Sequence, residues 1–122
     1  MMLPHRFHQP ARALAACALL ALSGCASKEL NRQLANTRIA VDQAHIAGAA
    51  EVAPAEFQAA SDKLQRAETA ANDRKKKDAM RLAEQAQADA NLARARTDSA
   101  QARVAAAEMA KSNSILSGAY NR

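Results

Sequence analysis

Beyond residue 26, apolar positions recur at the spacing of helices. Leu30, Leu34, Thr37, Val41, Ala44 and Gly48 step by 4, 3, 4, 3, 4, which marks one helix face at the 3.5-residue period of coiled coils. Ile39 and Ile46 widen that stripe. The pattern predicts a first helix over residues 27–47, capped by Ser27, with Glu29 in the first turn where the helix dipole favours an acid. Gly48 predicts its stop, because a left-handed residue closes many helices. Residues 49–53 read as a short connection. Pro54 suits the first turn of a second helix, where its missing N–H has no intrahelical partner to lose. Phe57, Ala60, Leu64, Ala67 and Ala71 step by 3, 4, 3, 4 and place that helix at 54–71, with Asp62 and Arg66 as an i,i+4 pair on its outer face. Asn72-Asp73 then breaks the pattern and predicts the cap of a third helix.

The third helix is predicted to be the longest. Ala79, Ala83, Ala86, Ala90, Ala93, Thr97, Ala100, Val104 and Ala107 step alternately by 4 and 3, flanked by Leu82 and Leu92. A helix over 74–111 is about 57 Å long at about 1.5 Å per residue. Alanine at the seam lets backbones approach closely but buries little, at about 0.8 kcal/mol per CH₂. Helix propensity must therefore carry much of the local stability. Two short loops imply antiparallel neighbours. The expected fold class is all-α: a three-helix up-down-up bundle, or a helical hairpin, with a long C-terminal helix and a coiled-coil-like alanine seam. The last turns of the third helix are expected to overhang. Residues 112–122, with Gly118 and a small apolar patch at Ile115-Leu116, read as a flexible tail.

The N-terminal segment has a different pattern. A charged stretch over 1–12, with Arg6 and Arg12, leads into eleven largely apolar residues, 13–23. That run is too short to span a bilayer, which needs about 20 residues. It leads into Leu22-Ser23-Gly24-Cys25. Leucine three residues before a cysteine, followed by two small residues, reads as a bacterial lipobox. The reading predicts a signal peptide over 1–24, cleavage between Gly24 and Cys25, and a lipidated N-terminus at 25–26. The only prosthetic group expected is covalent lipid on Cys25. Diacylglyceryl on its sulfur and an acyl chain on its amine suffice for stable anchoring. Ala26, in place of the aspartate that commonly retains such proteins at the inner membrane, points to the periplasmic face of an outer membrane. His5 and His8 leave with the signal peptide, and translation from Met1 or Met2 fits equally.

Composition narrows the rest. The chain has 122 residues and a formal charge of +5, and the 98 residues from Cys25 onward carry 15 Lys and Arg against 12 Asp and Glu. That length makes one small domain. Those 98 residues contain 28 alanines but only 13 Leu, Ile, Val and Phe, so a large packed core is not available. Alanine, Glu, Lys, Leu and Arg make up 55 of the 98, the composition of long helices. Cys17 is discarded and Cys25 is lipidated, so no intramolecular disulfide is expected. His45 is the only histidine after residue 24 and has no cluster of cysteines or acids at metal-ligand spacing. Gly48 and Gly118 form no phosphate loop, and no motif pairs a serine with a histidine. Neither an enzyme nor a metal site is expected. Phe57 and Tyr120 are too few for base stacking, so nucleic acid is not an expected partner.

One charge run stands out. Arg74, Lys75, Lys76 and Lys77 put four cations in the first turn of a helix, where they oppose the dipole. Helix propensity did not select them. They make either a solvated helix start or a patch for lipopolysaccharide phosphates, an anionic leaflet or an acidic glycan such as peptidoglycan.

Pro54-Ala55-Glu56-Phe57, Lys63-Leu64, Ala67, Leu82-Ala83-Glu84-Gln85-Ala86, Asp89-Ala90 and Leu92-Ala93 resemble the domain of unknown function 4398 family over about residues 27–110. The resemblance implies a short alanine-rich bacterial envelope lipoprotein, and some members carry an OmpA-like peptidoglycan-binding domain. Residues 74–77 stand where members often have a short Gly-Asp turn, and no OmpA-like domain is expected here. The chain also resembles the major murein-linked outer-membrane lipoproteins in placing a heptad helix after the lipidated cysteine. It lacks their terminal lysine, ending Tyr120-Asn121-Arg122, and the breaks at 48–54 and 72–73 argue against one continuous rod. The expected function is that of a non-enzymatic, lipid-anchored structural or protein-interaction module of the cell envelope. Its expected partners are the membrane through its anchor, and an envelope protein or a second copy of itself. The alternative is a binding module for lipopolysaccharide or peptidoglycan through residues 74–77.

Overall fold

A computed structural model describes residues 11–121, with side chains from Ser27 onward. Residues 1–10, with His5, Arg6 and His8, lie outside the described residues. So do the side chains of Arg12, Cys17 and the Leu22-Ser23-Gly24-Cys25 stretch. The described chain is all-α and contains no strand. Its elements are α1 (Ala11–Ile46), the single turn α2 (Ala49–Val52), α3 (Pro54–Asn72) and α4 (Lys76–Tyr120). Helices α1, α3 and α4 run up, down and up, with α4 packed against both of the others and most extensively against α3.

Each connection has a local cause. Gly48 takes φ 89°, a left-handed conformation, and its N–H donates to the His45 carbonyl at 2.9 Å. The chain then folds into α2 rather than the open connection expected there. Glu51 and Val52 N–H both donate to the Gly48 carbonyl, and Ala49 and Ala53 turn inward. Pro54 opens α3 as expected.

The start of α1 departs from expectation. No cap forms at Ser27, because the helix is already continuous from Ala11 and passes through it. Residues 11–26 contain no proline, and their one glycine does not break the helix. The end of α4 departs too, since the helix continues to Tyr120 through the stretch read as a flexible tail. Gly118 is accommodated within the helix, and the Ser114 and Ser117 hydroxyls each donate back to a carbonyl three residues earlier.

The core is a column of small side chains. Ala79, Ala83, Ala86, Ala90, Ala93 and Thr97 of α4 are wholly buried. They face Leu30, Leu34, Thr37, Ala40, Val41 and Ala44 of α1 and Ala60, Ala67 and Ala70 of α3, all of them buried. Two clusters form. The cluster at the α2 end joins Val41, Ala44, Ala49, Ala60, Ala90 and Ala93, with Phe57 and Leu64 packed on it. The other joins Leu30, Leu34, Ala67, Ala79, Leu82 and Ala83, with Leu64 and Met80 packed on it. The largest fully buried side chains are two threonines. Thr37 donates its hydroxyl to the Gln33 carbonyl at 2.8 Å, with the Ala83 carbonyl of α4 at 3.1 Å. Thr97 donates to Ala93 of its own helix at 3.0 Å. Helical geometry leaves a carbonyl lone pair for each of these bonds, so threonine is buried without a stranded polar atom. Among the described residues no buried side-chain nitrogen or oxygen lacks a partner.

Ile39 and Ile46 do not widen the buried stripe of α1: they are 54% and 83% exposed. The alanine column brings the helices so close that only a narrow face is covered, and residues one step off it stay in solvent. Leu92 is likewise exposed, whereas Leu82 is buried.

Candidate functional site

The basic residues 74–77 sit in the turn between α3 and α4, and the backbone dictates how they are displayed. Asp73 closes α3, its N–H donating to the Thr69 carbonyl at 3.0 Å. Arg74 N–H donates to Ala71 at 3.0 Å and Lys75 N–H to Ala70 at 2.8 Å. These are the two bonds of a Schellman motif, with Arg74 in the left-handed position at φ 62°. Asn72-Asp73 therefore ends α3 instead of capping the next helix. Lys75 is the N-terminal flank of α4, without a side-chain cap, and Lys76 is its first residue. The four cations are thus split between a helix end, a turn and a helix start.

All four are exposed, and they have different neighbours. Lys75 Nζ lies 3.5 Å from the Asp73 carboxylate. Lys76 Nζ donates to the Ser27 hydroxyl at 2.6 Å. Arg74 and Lys77 have no ion-pair partner among the described residues. One further turn along α4, Arg81 pairs with Asp78 at 3.7 Å, and on α1 Arg32 pairs with Glu29 at 2.7 Å. The hydrogen bond and the charge of Glu29 raise the Arg32 pKa.

The Lys76–Ser27 contact fixes which end of the bundle this is. The up-down-up course returns the α3–α4 turn to the first described side chain of α1, two residues beyond Cys25. Two clefts flank the contact. One, of about 380 Å³, is lined by Ser27, Leu30, Asn31, Leu34, Arg74 and Lys76 among others. The other, of about 430 Å³, is lined by Glu29, Leu30, Lys76, Lys77, Met80, Arg81 and Glu84. Leu30 and Lys76 belong to both. Each cleft has an apolar floor and a cation at its rim. The backbone of Leu22-Ser23-Gly24-Cys25 lies within α1, immediately before this end.

The opposite end differs. Gln101 Nε2 donates to the carbonyl of Ala47, in the link between α1 and α2, at 3.1 Å. Just beyond it Val52 of α2 shares a shallow cleft with Val104, Ala105 and Glu108, and α4 then runs on without a neighbour. Residues 101–120 are all exposed, including Val104, Met109, Ile115, Leu116 and Tyr120. The expected overhang is therefore present and longer than the predicted helix end allowed.

Several contacts were not legible in the pattern. Lys63 of α3 pairs with Asp89 of α4 at 2.5 Å, and Arg96 pairs with Glu56. Arg38 of α1 pairs with Glu68 of α3 at 2.6 Å, and Gln33 donates to Gln87 at 2.7 Å. Periodicity assigns these residues to the edges of the seam but not to each other. The expected Asp62–Arg66 pair is absent, and Asp62 accepts from Gln58 at 3.1 Å instead. His45 is exposed, with its ring 5.8 Å from that of Phe57. Among the described residues no group of three or more His, Cys, Asp or Glu is placed to hold a metal ion. None of the described helices is long and apolar enough to cross a membrane.

These features define a class: an all-helical bundle seamed by alanine, with a cationic turn at one end and an unpartnered helix at the other. The chain belongs to the family described as Domain of unknown function (DUF4398), whose sequence profile matches residues 32–109. The match spans most of the packed bundle, from just past Leu30, and the first turns of the overhang. No curated protein and no solved structure matches the chain.

Proposed function

We propose that this is a non-enzymatic lipoprotein, anchored through Cys25 to the periplasmic face of the outer membrane, whose bundle presents the free end of α4 to another envelope protein or to a second copy of the chain. The observation that carries the reading is the exposed helix end at 101–120. Its apolar residues Val104, Met109, Ile115 and Leu116 are exposed, and it extends an alanine seam that is fully covered lower down. The Leu22-Ser23-Gly24-Cys25 sequence supports the anchor and the compartment. Crosslinking in intact cells should give discrete self-linked or partner-linked bands through positions 101–120. Monomer alone, across several crosslinker lengths, counts against the reading. Palmitate labelling should be present in the natural chain and lost in Cys25→Ala, and equal labelling of the two refutes the anchor.

A second reading, binding of anionic envelope material through Arg74, Lys75, Lys76 and Lys77, is favoured by one observation. Those residues share an end of the bundle with Ser27, beside the anchor sequence.

A further inference from the structure

We infer that the turn joining α3 to α4 is a docking surface for the phosphate headgroups of the lipid leaflet that holds the anchor. The inference rests on the lipid at Cys25 and deepens the second reading by naming its ligand as membrane lipid.

The argument starts from position. Ser27 is two residues past Cys25, and its hydroxyl accepts from Lys76 Nζ at 2.6 Å. A lipid on Cys25 therefore brings Lys76, and the turn that carries it, down to the leaflet surface. Charge supports the same partner. Lys28, Arg74, Lys76 and Lys77 have no ion-pair partner among the described residues, whereas Arg32, Lys75 and Arg81 are each matched by an acid. The surplus at this end is cationic, with Glu84 the unmatched carboxylate lining the same cleft as Lys77. The shape also fits a headgroup. Arg74 and Lys76 stand at one cleft over Leu30 and Leu34, while Lys76 and Lys77 stand at the other over Leu30 and Met80. A phosphate on the cations leaves the glycerol carbons against those apolar floors.

The backbone does not account for the cations that stand here. Arg74 occupies a left-handed position at φ 62°, where glycine is the least strained residue. Lys76 and Lys77 occupy a helix start, where the dipole opposes positive charge. Neither choice favours the isolated fold. An anionic surface gives each cation near it a compensating attraction that decays within a Debye length.

The test uses the mature lipidated chain, extracted from membranes and reconstituted into two kinds of vesicle. One is phosphatidylcholine alone, and the other contains about a third phosphatidylglycerol to supply the anionic surface. Lysine amines are acylated for timed intervals and the sites read by mass spectrometry. Lys111, on the free end of α4, is the internal reference. Lys76 and Lys77 should react about three-fold or more slowly on anionic vesicles than on neutral ones, with Lys111 unchanged, and about 0.5 M salt should abolish the difference. In Arg74→Gln/Lys77→Gln the protection of Lys76 should largely disappear. Equal rates on the two vesicles, or full protection of Lys76 in that variant, overturn the docking surface. Failure of the chain to float with neutral vesicles overturns the anchor, and the docking surface with it. Flotation with equal labelling removes the docking surface alone.

Discussion

The two parts of α4 carry the same seam and differ in what covers it. From Ala79 to Thr97 the seam alanines are wholly buried between α1 and α3, while beyond position 100 the continuing register of Val104 and Ala107 lies in solvent, Val104 being 60% exposed. The helix does not change at the boundary. Its neighbours stop, because α1 ends at Ile46 and the α2 turn bends the chain back at that level. A heptad pattern thus specifies which face of a helix is suited to a partner, and chain topology decides whether the partner is intramolecular. The overhang remains helical without that support, which is consistent with the high helix propensity of its alanines. A lone helix of about 20 residues is nonetheless close to the lower limit for stability in water.

Proline separates the two halves most sharply. Ala86→Pro removes a backbone bond inside the covered seam and should cost about 3 kcal/mol or more, seen as a lower Tm. Ala107→Pro should lower the helical circular dichroism signal while the bundle melts at an unchanged temperature. A common loss of Tm in both variants would mean the overhang is part of the cooperative unit. Overpacking comes next. Ala90→Leu forces a larger side chain between helices and should cost about 1–3 kcal/mol in chemical denaturation. The same change at Ala107 should stay within about 0.5 kcal/mol. Equal costs would show that the overhang is covered in solution, which sedimentation would report as a dimer. Smaller still is Thr37→Val, which removes the hydroxyl between α1 and the Ala83 carbonyl. It should cost about 1 kcal/mol, more than Thr97→Val, whose hydroxyl bonds only within its own helix.

Effects no larger lie at the two bundle ends, where Gly48 and Arg74 both adopt left-handed backbone. Gly48→Ala should destabilise by about 1 kcal/mol through backbone strain, although a methyl group there meets only ordinary contacts. Arg74→Gly should stabilise by about 0.5–1 kcal/mol for the same reason. A loss in Arg74→Gly would show that the arginine side chain contributes a contact of its own.

Much of the covered seam was legible in the residues. Leu30, Leu34, Thr37, Val41 and Ala44, and the α4 series from Ala79 to Thr97, follow from period alone, because helix geometry converts a 4, 3 spacing directly into a face. What period could not supply was the width of contact, so Ile39 and Ile46 were misjudged. Nor could it supply the extent of α4: Gly118 and the polar residues around it resemble a tail, yet the helix runs through them to Tyr120. The basic residues were visible as a run, but their left-handed turn was hidden, since arginine does not announce positive φ. Their nearness to Ser27 depends on two antiparallel turns taken together, a property of topology rather than of any one stretch.

The 45 residues of α4 have one more consequence. At about 1.5 Å per residue the helix separates the cationic turn from Tyr120 by about 67 Å, and no joint interrupts it. The element therefore behaves as a ruler. Seven residues inserted between Gln101 and Met109 would lengthen it by about 10 Å and nearly restore the bearing of its apolar edge. An insertion of two would change the height slightly but turn that edge by about 200°. Whatever meets the tip is thus set at a fixed distance and a fixed compass direction from the base, and the two can be altered independently.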